Sequence, residues 1–116
     1  MKILRSISAF EIDDYIEEGK EITQEVFDML TPYEVQIYFK ANMMKNGLLL
    51  DLSRLTFLPD GIKFPDGCVC ANLCMLEALP ENIKVPESFE CMLVSNKAYL
   101  PLYVLEPRNY QIRIIP

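Results

Sequence analysis

Histidine is missing from all 116 residues. Its absence removes the commonest general base, the commonest metal ligand and the usual partner of a nucleophilic serine or cysteine. Glycine is scarce, at four residues, and Gly61 and Gly67 sit in turn signals, so no glycine-rich phosphate loop exists. No EF-hand spacing is present. No apolar run approaches the roughly 18 residues that a membrane span needs. The start, "MKILRSISAFEIDD", turns acidic too soon for a signal peptide, which predicts a cytoplasmic protein.

A basic patch is also lacking. The net charge is −6, and the segment Glu11–Glu25 carries all of it: Glu11, Asp13, Asp14, Glu17, Glu18, Glu21 and Glu25 against Lys20 alone. Direct binding to nucleic acid or anionic membrane, which both need clustered cations, is therefore not expected. Four cysteines without a secretory signal predict reduced thiols. The spacing of Cys68, Cys70, Cys74 and Cys91 does not match a zinc knuckle, so neither metal nor cofactor is expected. With 51% hydrophobic and 24% charged residues, the chain reads as one globular domain.

What is present is a phrase written twice. "LPDGIKFPDG" spans 58–67 and "LPENIKVPES" spans 79–88. Sliding by 21 aligns Leu58, Leu79 and Leu100, each followed by proline, then Ile62, Ile83 and Val104, then Pro65, Pro86 and Pro107. Further columns are Leu49, Cys70, Cys91, Ile112, and Leu52, Leu73, Val94, Ile115; Cys68, Phe89 and Tyr110 follow Gly47 in another. A fixed period of this length is the mark of stacked repeats. The stretches 47–52, 68–73, 89–94 and 110–115 read as short strands. The proline-rich stretches cannot continue a central strand and should form the return path of each coil. Stacked coils bury their apolar columns against each other and pair their strands in parallel. The fold class expected is α+β: a short solenoid with a parallel sheet of about four strands, capped by helices, in a single domain (1–46 cap, 47–116 repeats).

The residues that carry the period, "LTFLPDGIKFPDGCVCANL" and "LEALPENIKVPESFECMLV", resemble leucine-rich-repeat-like proteins, most of all the short "LTSLPEGL" style found in bacterial and phage-encoded proteins. The resemblance implies a protein-interaction module without catalytic activity, cytoplasmic in a bacterium or in an infected host cell. Where many such repeats carry a ladder asparagine, this chain has Leu52, Leu73, Val94 and Ile115.

Residues 1–46 read as the cap. Ser8–Glu11 is a capping-box pattern opening a first helix that stops near Gly19. Thr23 can cap a second helix with Val26, Phe27 and Leu30 on one face. Thr31-Pro32-Tyr33-Glu34 combines a cap, proline at the first helical position and glutamate at the third, opening a helix that ends at Asn46-Gly47. That helix is apolar nearly all round, which predicts burial between the first coil and the other helices.

Strand alternation, with Cys70 placed inward, sends Val69, Ala71, Glu90, Met92, Gln111 and Arg113 to the outer face, together with Leu48 and Leu50. Those six, with Asp13, Asp14, Glu17 and Glu18 of the acidic segment, are the expected partner-binding residues; no residue is expected to be catalytic. The function expected is a protein-binding module. Its alternative is a phage-encoded inhibitor that occludes a host defence enzyme, using the acidic helix as bait for basic residues. A third is a structural homodimer. Its basis is the last strand, 110–115, whose edge has no following coil to pair with and should recruit a copy, a partner or part of the N-terminal segment.

Overall fold

The computed structural model describes residues 22–116. Two helices, α1 (Gln24–Asp28) and α2 (Pro32–Lys45), precede four strands: β1 (Leu49–Asp51), β2 (Cys70–Leu73), β3 (Cys91–Ser95) and β4 (Gln111–Ile115). The strands form one parallel sheet in sequence order. It is an α+β solenoid of about three turns. The first expected helix, Ser8 to Gly19, lies outside the described residues.

Local sequence sets both helix starts. Thr23 Oγ1 accepts from the Val26 N–H at 3.2 Å. Thr31 and Glu34 close a reciprocal capping box, with Pro32 in the first turn. Glu34 is buried, and its Oε1 accepts from the Thr31 N–H at 2.8 Å. The second helix is not buried all round. Val35, Phe39 and Met43, spaced by four, face the core, while Tyr33 and Met44 are exposed.

The helices finish the first coil with side-chain amides. Gln24 Oε1 accepts from the N–H groups of Thr56 and Phe57, and its Nε2 donates to Phe57 O. Gln36 Nε2 donates to Lys63 O at 3.0 Å. Asn42 takes both Asp51 groups on the free edge of β1: it accepts from the N–H at 2.8 Å and donates to the C=O at 2.9 Å. Three amides thus stand where a preceding coil's backbone would be, which protects an edge that otherwise invites pairing.

Inside, Leu50, Ala71 and Met92 are in register with Ile112, and Leu73 and Val94 with Ile114. Aromatic rings run along the axis from Phe27 to Phe39, Phe64, Phe89 and Tyr110, with centroids 5.3–6.2 Å apart. Adjacent coils also share bridges at Lys63–Lys84 and Ala78–Tyr99. The Gly61 column carries the backbone signal: Gly61 has φ +76° and Asn82 φ +57°, left-handed values that glycine and asparagine tolerate best. Tyr103 fills that column in the last coil, where the chain forms a 3-10 helix, Leu102–Leu105, instead.

The phase of the strands differs from the sequence reading by one residue. Leu49, Cys70 and Cys91 are adjacent in register, but they stand half-buried on the outer face. Ala71, Met92 and Leu50 point inward and are fully buried. A one-residue slip exchanges every side chain between faces. Its cause is an extra residue after the buried Cys68 and Phe89: Val69 O accepts from both Glu90 N and Cys91 N, at 2.7 and 3.4 Å. The last coil lacks that extra residue, so Cys91 aligns with Gln111 and the final repeat is 20 residues long. Ile112 therefore follows Met92, and Ile115 stands beside Ser95 instead of Val94.

Candidate functional site

Register builds the outer strand face row by row. One row is Leu49, Cys70, Cys91 and Gln111; the next is Asp51, Asn72, Leu93 and Arg113. At the strand ends Asp51 Oδ1 accepts from Ser53 N, Asn72 Oδ1 from Cys74 N, and Ser95 Oγ from Lys97 N. These short side chains turn the backbone out of the strand, as asparagine, aspartate and serine do two residues ahead. The polar turn position is thus one residue before the apolar column at Leu52 and Leu73, and one residue after it at Val94.

Neither of the two described helices covers this face. The second helix packs on β1 from the edge. Of the expected binding residues, Glu90, Gln111 and Arg113 are exposed and lie together. Ala71 and Met92 do not belong to the surface; both are completely buried in the coil core. Val69 is half-buried, and its carbonyl serves the coil-to-coil ladder. Leu50 is core as well, while Leu48 is exposed where the cap joins the first coil. Asp13, Asp14, Glu17 and Glu18 lie outside the described residues.

Glu90, Gln111 and Arg113 line an open cleft of about 670 Å³ across the last two coils. Sequence reasoning missed three of its walls: Glu87, Arg108 and Tyr110. Arg108 is held by the carbonyls of Val104 and Glu106 and lies 5.7 Å from the centre of the Tyr110 ring. Arg113 Nε donates to Gln111 Oε1 at 3.2 Å. Burial pushes the Tyr110 phenol up, against the pull of Arg108. The cleft thus presents two guanidiniums and two carboxylates over an aromatic floor. Nothing in it resembles a nucleophile with its base. The signal that could have located it is the missing residue between Tyr110 and Gln111, which turns the last coil away from the register of the others.

Cys91 also lines the cleft, and here the thiol expectation changes. Cys70 and Cys91 are joined as a disulfide between neighbouring strands. They are direct register partners with Cα atoms 5.0 Å apart, inside the range a disulfide spans. Cys68 and Cys74 are free. Burial pushes the Cys68 thiol up, and the backbone hydrogen bonds at Cys70 and Leu50 offset only part of that rise; the net direction is opposite to that of an activated nucleophile. No group of three or more cysteine and acidic side chains among the described residues is placed to hold a metal ion. No described helix is long and apolar enough to cross a membrane. No family model, no curated protein and no solved structure matches this chain.

Proposed function

We propose that this chain is a non-catalytic protein-binding module of the leucine-rich-repeat-like type, which grips its partner with the outer strand face and the cleft beside it. One observation carries the reading: neither of the two described helices covers that face, and Glu90, Gln111 and Arg113 gather there around an aromatic floor. Mixed charge over tyrosine and arginine is the composition of protein-recognition surfaces, where these two types are enriched. The absence of histidine from the sequence and a cysteine thiol held protonated by burial both weigh against hydrolytic or covalent chemistry. A rigid solenoid lends such a surface fixed spacing, so that little entropy is lost in ordering it.

The test is competitive capture from the source cells with the immobilised full chain and with Glu90→Arg/Arg113→Glu. Both changes are on exposed side chains and should leave the fold intact by circular dichroism. The expected result is a stoichiometric protein retained by the wild type and lost from the variant. A protein retained equally by both would remove the cleft from recognition, and no retained protein at all would end the reading.

A further inference from the structure

The geometry points to a second copy of this chain as the occupant of the open edge of β4, paired antiparallel about a two-fold axis through Ile112. This rests on the edge itself and is independent of the partner-binding reading.

Gln111 N donates to Glu90 O at 2.9 Å, and Ile115 O accepts from Asn96 N at 2.9 Å. Backbone groups alternate along a strand, so Gln111, Arg113 and Ile115 face β3, while the N–H and C=O of Ile112 and Ile114 face outward. Nothing among the described residues pairs with them. The strand's protection is slight: its one charge is Arg113, and between Gln111 and Ile115 it has no lysine, no proline and no bulge. Yet the opposite edge of the same sheet is closed with care by Asn42.

The outward columns of the coils change character at this end. Asp60 and Glu81 give way to Leu102, which is 82% exposed; Lys63 and Lys84 give way to Leu105, 85% exposed. Ile114, in register with the buried Val94, is 45% exposed. Charged positions that become leucine at one end of a stack mark a surface to be covered. A two-fold axis perpendicular to the sheet brings the whole end face against its counterpart, and it carries the leucines of the two 3-10 helices to the same interface.

Three registers put outward groups opposite each other, and side chains choose among them. Centring the axis on Arg113 sets two guanidiniums directly opposite, which is repulsive. Centring it on Ile114 sets Pro116, which has no N–H, opposite Ile112. Centring it on Ile112 lets the two Ile112 residues exchange both backbone hydrogen bonds. It also sets Gln111 opposite Arg113 of the second copy, repeating across the axis the contact already made within the chain. That register is self-complementary and closes both edges, so assembly stops at two.

Sedimentation equilibrium on the full chain decides the state. The wild type should have twice the chain mass at about 100 µM, above the micromolar Kd of even a weak standard-size interface. Mild oxidation should cross-link Ile112→Cys into a covalent dimer on a non-reducing gel and should leave Ile114→Cys largely uncross-linked. Ile114→Lys should be monomeric, with an unchanged circular dichroism spectrum. A monomeric wild type, or larger open-ended assemblies, would overturn the proposal. Cross-linking through position 114 in preference to 112 would overturn the register. If the lysine variant fails to fold, the wild-type mass and the cysteine pair still decide.

Discussion

Asn42 joins the cap to the solenoid through one side chain, so it tests whether the helices complete the first coil or merely lean on it. Its amide pairs with both backbone groups of Asp51, at 2.8 and 2.9 Å, in a half-buried position. A hydrogen bond of this kind contributes about 0.5–1.5 kcal/mol net, and a buried group left unpaired costs about 1–3 kcal/mol. Asn42→Ala should therefore destabilise the protein by about 1–3 kcal/mol in urea denaturation. Water at the half-buried site can replace part of the lost bonding, which favours the lower half of that range. Asn42→Asp separates the two bonds. An ionised carboxylate still accepts from the Asp51 N–H, but it cannot donate, and it turns an oxygen toward the Asp51 C=O. Protonation gives the donor back. The deficit of Asn42→Asp against wild type should thus be largest at neutral pH and should narrow as the pH falls through the carboxyl pKa, ordinarily about 3.9. Hydrogen exchange adds a local readout: the Asp51 amide should lose protection in the alanine variant and keep most of it in the aspartate variant at neutral pH. If the alanine variant is as stable as wild type, and its Asp51 amide is equally protected, the amide closure of the edge is wrong.

The Cys70–Cys91 cross-link closes a 21-residue separation, which in the chain-entropy account stabilises by about 3 kcal/mol; Cys70→Ala/Cys91→Ala should lose about that much in denaturation without a change in circular dichroism, and a loss below about 0.5 kcal/mol would show that the link is not formed in solution. Burial first, then the charges near it, push Tyr103 up to about 12 from 10.0, so its contribution is fully present below pH 10 and lost as the pH rises toward 12. Tyr103→Phe, which also removes the hydrogen bond to Pro80 O, should flatten the alkaline fall in stability, and an unchanged slope would refute that assignment.

The period was legible because every coil must place the same kind of side chain at the same point of the stack: Leu58 and Leu79 are buried as their column requires, and the strands pair in the order the repeat implies. The phase was not legible. Cys70 and Ala71 are both small and apolar, as are Cys91 and Met92 in kind, so the pattern alone fits either face. The bend at Val69 and Glu90, which depends on a shared carbonyl, then decides which one turns inward. That is why Ala71 and Met92 were misplaced while Glu90, Gln111 and Arg113 were not: a charged or strongly polar side chain is held at the surface by desolvation whatever the strand phase. The three amide clasps were invisible for another reason. Gln24, Gln36 and Asn42 repeat with no period, and each matters only because a coil edge comes to rest against it.

The last coil shows where a repeat carries information beyond its own architecture. A solenoid keeps its columns as long as each coil is covered by another, and a column that changes type records a change in what lies next to it. Asp60 and Glu81 become Leu102, Lys63 and Lys84 become Leu105, and the left-handed pair Gly61 and Asn82 becomes Tyr103. Tyr103 abandons the left-handed turn for the 3-10 helix that presents both leucines. In the same coil one residue drops out before Gln111, so that Arg108, Tyr110 and Arg113 meet Glu87 and Glu90 across the cleft. Apolar exposure and the mixed-charge cleft therefore arise from the same shortened coil. They separate by direction: the leucines lie on the turns and Ile114 on the strand edge, whereas the cleft opens on the outer face. The two surfaces meet at Gln111 and Arg113, which line the cleft and would also face each other across the axis. A copy bound at the edge would thus form one side of each cleft, while Glu87, Glu90 and Arg108 stay open beside it.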